Sequence, residues 1–251
     1  MHRILIFLWP NHLKVATLAR PENLRFKTAH MKPTSFARFL LAATCWLAAG
    51  VVSPMFGQEK MEPLVKFERQ SIQAQQTPDW KVSNVKDKRW KPKDWLEIEL
   101  PFKIEAPKGK KDFEFFDQLT VDFYVYLEPV PGSSVTKPQI LTAKLTHVNV
   151  PVHDEVATVV YLSPGTLMRY TGKKGGRVDA SLVKQLGVEI RSGETLVGFF
   201  STTGNSPTGG GRFWESEKAE KVPGLLKDKT QTPFAPLWGD YHAEVQGAGS
   251  R

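Results

Sequence analysis

Residues 117–129 read DQLTVDFYVYLEP, and the alternation in this stretch decides the fold. Leu119, Val121, Phe123, Val125 and Leu127 occupy every second position, while Tyr124 and Tyr126 fall between them. A period of two is the signature of a strand with one buried face. Upstream, WLEIELPFKIE (95–105) repeats it, with Ile98, Leu100, Phe102 and Ile104 set against Glu97, Glu99, Lys103 and Glu105. Pro101 interrupts this second strand and predicts an edge position or a bulge, because proline has no N–H to give a ladder. Downstream, PQILTAKLTHVNVPV (138–152) and EVATVVYLSP (155–164) are two further β segments around a VHDE turn. GVEIRSGETLVGFFSTTG (187–204) reads as two strands about Ser192-Gly193, and DWKVSNVKDKRW (79–90) as a first strand.

Helical signals are few. SPGTLMRYTG (163–172) offers Ser163 as N-cap, Pro164 at the first helical position and Gly172 at the end. DASLVKQLG (179–187) offers Asp179 as N-cap and Gly187 as C-cap. The expectation is therefore an all-β fold, a sandwich of about seven strands with two short helices. Leu119, Val121, Phe123, Val125, Ile98, Leu100, Phe102, Val188 and Ile190 form its expected core. GKKGGR (172–177) and GNSPTGGGR (204–212) read as flexible loops.

Three further segments flank the sandwich, expected over residues 78–231. Residues 58–77 are polar without a clear period and read as a flexible arm. Residues 1–57 combine an N-terminal extension with a secretory leader: from Met31 come Lys32 and Arg38, an apolar run Phe39–Val52, then Ser53-Pro54 and Gly57. The run is short of the roughly twenty residues a spanning helix needs. Met31 is thus the expected start and cleavage is expected near Gly57, leaving an exported chain without Cys45 and without a transmembrane helix. Export to the periplasm, the outer membrane or the exterior follows. Without cysteine the exported chain must be stabilised by its core rather than by disulfides.

The leader also carries most of the charge. The whole chain has 34 Lys+Arg and 26 Asp+Glu, but residues 1–57 hold seven of the bases and one of the acids. The remainder is close to balance, so a dedicated nucleic-acid binder is not implied.

No constellation carries catalysis. His147, His153, Asp154 and Glu155 are metal-capable, but Pro151 breaks the register that would align them, and zinc sites show tighter pairs. GNSPTGGGR lacks the lysine of a phosphate-binding loop. There is no GxSxG elbow, and acids such as Glu97 and Asp122 on outer strand faces read as solvated. No cofactor or metal is expected. The candidates that remain are aromatic. VKDKRWKPKDW (85–95) interleaves Lys86, Lys88, Arg89, Lys91 and Lys93 with Trp90 and Trp95, beside Trp80. Such a stretch is either a lysine-guarded edge or a surface for protein or glycan. The last segment, 232–251, holds Phe234, Trp238 and Tyr241 among Pro233 and Pro236. It reads as an extended strap, folded across its own sandwich or docked on a partner; the first is favoured because an exposed aromatic tail invites aggregation.

Taken in order, the leader, LPFKIE, YLEP, VYLSPGTLMRYTG, GVEIRSGETLV and KTQTPFAPLWGDYHAEV make the chain similar, over roughly residues 78–245, to the secreted pilus-like-system proteins of Verrucomicrobia. The resemblance is to their small immunoglobulin-like β-sandwich member. It implies work beside pilus-type secretion and assembly components through protein contacts. One departure matters: a pilin retains its apolar helix, whereas here that run precedes the expected cut, which implies an accessory rather than a filament subunit. The alternative is a module binding carbohydrate or envelope polymer through Trp80, Trp90 and Trp95.

Overall fold

The structure is a computed structural model that describes residues 62–81, 83–86, 88–173, 178–207, 210–215 and 219–247. The leader lies outside them. Strands run in chain order β1 (Val65–Phe67), β2 (Ser71–Gln76), β3 (Asp94–Ile104), β4 (Phe115–Leu127) and β5 (Gln139–Pro151). They continue as β6 (Glu155–Leu162), β7 (Val183–Ser192), β8 (Thr195–Ser201), β9 (Glu220–Pro223) and β10 (Leu226–Asp228). One sheet has the order β8-β7-β4-β5-β9; the other has β1-β3-β6-β10, with β2 also paired to β3. The fold is an all-β sandwich.

The alternation of β4 and β3 is what places the core. Leu119, Val121, Phe123, Val125 and Leu127 of β4 face Leu96, Ile98, Leu100, Phe102 and Ile104 of β3, and every one is fully buried. Val188 and Ile190 of β7 join them. Each such burial contributes about 1.5–3 kcal/mol. Two polar residues also point inward: His147 of β5 stands opposite Leu119, and Thr158 of β6 opposite Leu100. They meet between the sheets, with His147 Nε2 2.8 Å from Thr158 Oγ1.

Pro101 is not on an edge strand, since β3 is paired on both sides. The proline is accommodated by a change of partner. Its Cα partner Ala157 bonds away from β3, to Tyr241 and Ala243. Pro101 therefore also turns its backbone away from β6, towards the gap between the end of β1 and the start of β2. Its carbonyl accepts from Glu68 N there, and no ladder bond is missed where its N–H would be.

Residues 62–77 correct the expectation of a flexible arm: they supply β1 and β2 on β3. The sandwich proper thus starts before residue 78. Sequence periodicity misses β2 because only Ile72 of SIQAQQ is an apolar core contact, while Gln73 and Gln75 give their amides to Glu97 at 3.0 and 3.1 Å. The expected strand at 79–90 is absent from the described residues there, which form a loop with Asn84 in the left-handed region at φ 67°.

Of the two expected helices one forms. The helix α1 (Pro164–Thr171) is capped by Ser163 and ends at Gly172 with φ 69°. The second is a single 3-10 turn, Ala180–Leu182, on the Asp179 cap, and Val183 onward is strand β7. Gly187 is no helix cap: it sits inside β7 beneath Trp214, where a Cβ would lie 2.0 Å from the indole.

The edges of the sandwich are laced. Glu62 and Leu64 donate to Leu196 and Val197 of β8 before the same segment joins β3 as β1. On the far side, β9 pairs with β5 and β10 with β6 on either side of a turn at Gly224, φ 80°. The C-terminal segment spans the rest of that side, bonding Ala157 through Tyr241 and Ala243, and β5 through Glu244 and Gln246.

Candidate interaction surface

The strap settles on its own domain. Asp228 caps a 3-10 turn, Lys229–Gln231, and Thr232 Oγ1 then accepts from Phe234 N, turning the ring inwards. Phe234 is 1% exposed and stacks on Tyr161 at 5.1 Å, with Trp95 edge-on at 6.0 Å. Trp238, held in the left-handed region at φ 53°, lies over Phe234 at 6.4 Å. With Val159 and Leu237 these rings make a second, smaller core on the outer face of the β3–β6 sheet.

Glu97 is enclosed by that cover rather than solvated as outer-face acids are expected to be. It is 1% exposed and receives the Gln73 and Gln75 amides and the Tyr161 hydroxyl, the last at 2.9 Å. Burial, then the Glu97 charge, raises the Tyr161 phenol far above its ordinary range. Two residues along, Glu99 binds Tyr241 Oη at 3.2 Å and His242 Nε2 at 3.0 Å, clasping the strap to β3. Lys229 is buried beside this face, and desolvation lowers its pKa against the pull of Asp240 and Glu97.

The six aromatic candidates therefore divide. Trp95 and Phe234 are internal to the strap's core, and Trp95 Nε1 donates to Thr77 Oγ1 at 3.1 Å. Trp238 and Tyr241 lie over it with their outer faces exposed, and Trp80 and Trp90 stand 56% and 49% exposed on the 77–93 loop. At the foot of that loop a cleft of about 950 Å³ opens at one end of the sandwich. Its walls include Gln76 of β2, Lys91 and Lys93 of the loop, Met168 of α1, and Leu182 and Lys184. The basic stretch picked out in the sequence thus reaches a real concavity.

The other constellations are dispersed. His147 is inside the sandwich, its pKa driven down to about 4 by burial. His153, at φ 67° in the β5–β6 turn, pairs with Glu105 at 2.8 Å. Among the described residues no three His, Cys, Asp or Glu side chains are placed to share a metal ion. Glu97 and Asp122 lie on different sheets, Asp122 3.7 Å from Lys144 with its pKa raised chiefly by burial. Sequence reading also misses Trp214, which stacks on Tyr124 at 4.3 Å over the outer face of the sheet that holds β4. Arg212 anchors that cover to Glu189 at 2.6 Å. The signal was there in Tyr124 and Tyr126, two rings on a face that needed a lid.

Among the described residues no helix is long and apolar enough to cross a membrane. No functionally curated protein matches the chain. A crystal structure of a protein from Akkermansia muciniphila, one of the Verrucomicrobia, does match. It is 29% identical, with a TM-score of 0.60, over 74% of this chain and 94% of that one. Residues 57–248 match a protein-family model that takes in every described strand, and the chain belongs to that family.

Proposed function

We propose that the protein is an exported, immunoglobulin-like, non-catalytic component of a pilus-like, type IV pilus-related system, acting by contact with other envelope proteins. The observation that carries this reading is the 77–93 loop. Two indoles are left 56% and 49% exposed there, beside an open cleft. In the same chain Trp95, Phe234 and Trp214 are packed away at the cost of dedicated covering segments. Exposed tryptophans of this kind are enriched in the contact residues that dominate interface energies. The similarity to the Verrucomicrobial secreted family supplies the pilus-like setting, and the leader supplies export.

The same two indoles favour a second reading, an envelope-glycan binder, though with Trp80 and Trp90 alone, since Trp95 is committed to Thr77 and Phe234. Photo-crosslinking from positions 80 and 90 in the native host separates the two. Adducts with a defined envelope protein support the proposal. No protein adduct, together with saturable retention on mucin or peptidoglycan that Trp90→Ala abolishes, replaces it with the glycan reading.

A further inference from the structure

Strand edges are templates for pairing, and proteins blunt them with lysine, proline, brevity or cover. This chain does so almost everywhere. The β8 edge is covered by Glu62 and Leu64, and the far side by β9, β10 and the C-terminal segment. The outer edges of β9 and β10 are four and three residues long and carry Lys221, Pro223 and Lys227. The exception among the described residues is β2. It is six residues long, SIQAQQ, with no charge and no proline, and it pairs on one side only.

The register shows which groups it offers. Thr77 N donates to Lys93 O and Glu68 N to Pro101 O, so the odd-numbered residues of β3 point towards β1 and β2. Their partners Ser71, Gln73 and Gln75 therefore spend their backbone groups on β3. Ile72, Ala74 and Gln76 turn theirs outward. The Gln76 end of this row runs into the cleft, whose lining carries Lys91, Lys93, Lys173 and Lys184 against Asp94, Glu128 and Asp179. Lys88 and Arg89 are exposed on the adjoining loop.

We infer that the β2 edge takes up an extended, acid-tipped segment of a partner protein by strand addition, its acidic end lying in the cleft beside Lys91, Lys93, Lys173 and Lys184. Main-chain bonds to Ile72, Ala74 and Gln76 give the affinity, and the cleft sets the direction and the charge. The inference rests on the partner-contact reading above and names the edge that contact uses.

The probe is a synthetic peptide of alternating threonine and valine ending in aspartates, compared with the same peptide ending in lysines. Hydrogen exchange on the exported chain reads the result. The aspartate peptide should protect the Ile72, Ala74 and Gln76 amides, while those of Ser71, Gln73 and Gln75 are already slow without it. The lysine peptide should bind more weakly. Ala74→Pro removes one outward N–H and leaves the bonds to β3, so it should weaken binding about tenfold or more, while Ala74→Ser binds as the parent does. No protection, equal binding of the two peptides, or an Ala74→Pro variant that folds and binds normally overturns the inference. So does protection of these three amides in the protein alone, whether lost on dilution of a dimer or on removal of residues 58–61. Crosslinks from positions 80 and 90 would survive that failure, which keeps it distinct from failure of the contact reading.

Discussion

Replacing Phe234 with alanine tests whether the strap is part of the fold or merely laid against it. The ring is 1% exposed, lies between Tyr161 at 5.1 Å and Trp95 at 6.0 Å, and carries Trp238 on its outer side. A buried phenylalanine truncated to alanine costs about 3–5 kcal/mol through lost transfer energy and the cavity left behind. The upper half of that range is expected here. The vacancy opens against the ring of Tyr161, whose hydroxyl donates to the buried Glu97 with its two other partners, so the loss also loosens that hydrogen-bonded cluster. For a domain of this size the loss lowers the melting temperature by roughly 8–20 °C. Urea denaturation followed by tryptophan fluorescence measures it, since Trp95 and Trp238 both touch the ring. A loss below about 1 kcal/mol would refute the packing argument. It would mean that the strap contributes no more to stability than a surface segment.

Two other perturbations follow from the interior. His147 is held neutral with its pKa near 4, against 6.5 for the ordinary side chain. The unfolded chain therefore takes up the proton first, so stability is complete above pH 6.5 and falls as pH drops from there to about 4, by about 3 kcal/mol in all. His147 faces the Glu244 carbonyl and Thr158, with His242 adding a small repulsion in the same sense. Urea midpoints at about pH 7.5 and pH 4.5 should diverge less in His147→Gln than in the parent; equal divergence removes His147 as the cause. Gly187→Ala places a methyl 2.0 Å from Trp214 Cζ3 and must unseat the indole from Tyr124. A cost of about 1–3 kcal/mol and a red-shifted tryptophan emission are expected, and unchanged emission would count against the close approach.

What was legible in the sequence was whatever one strand could announce by itself. β3 and β4 each carry five inward apolar residues at a period of two, and all ten are fully buried. The helix α1 was legible because its stop and start are local, a serine cap, a proline and a glycine. The same local grammar misled at 179–187, where Asp179 does cap a turn but Val183, Leu186 and Val188 are claimed by pairing with β4. Tertiary pairing outweighed a marginal two-turn helix. β2 was illegible for the converse reason: its glutamines satisfy Glu97, a partner 22 and 24 residues away, and no period records that. Likewise Glu97 and Glu99 looked solvated because their cover arrives from residues 229–242, far along the chain. The aromatic candidates were singled out as needing an explanation. Which of them found one internally depended on where the strap lands.

The lacing also bears on how such a domain comes to be folded. Its core strands β3 and β4 follow one another in the chain but lie in different sheets, and the segments that close the edges are residues 62–67 and 241–246. No early fragment can complete the sandwich: β8 remains open without residues 62–64, and the far ends of β5 and β6 remain open without Tyr241–Gln246. Contacts this distant in sequence are late and slow to form, because loop-closure entropy must be met before they contribute. Among the described residues, β2 keeps an uncharged row of outward backbone groups, and its Gln76 end lines the cleft. On the reading proposed above, the surface offered to a partner is the part of the sheet that residues 62–67 and 241–246 leave uncovered.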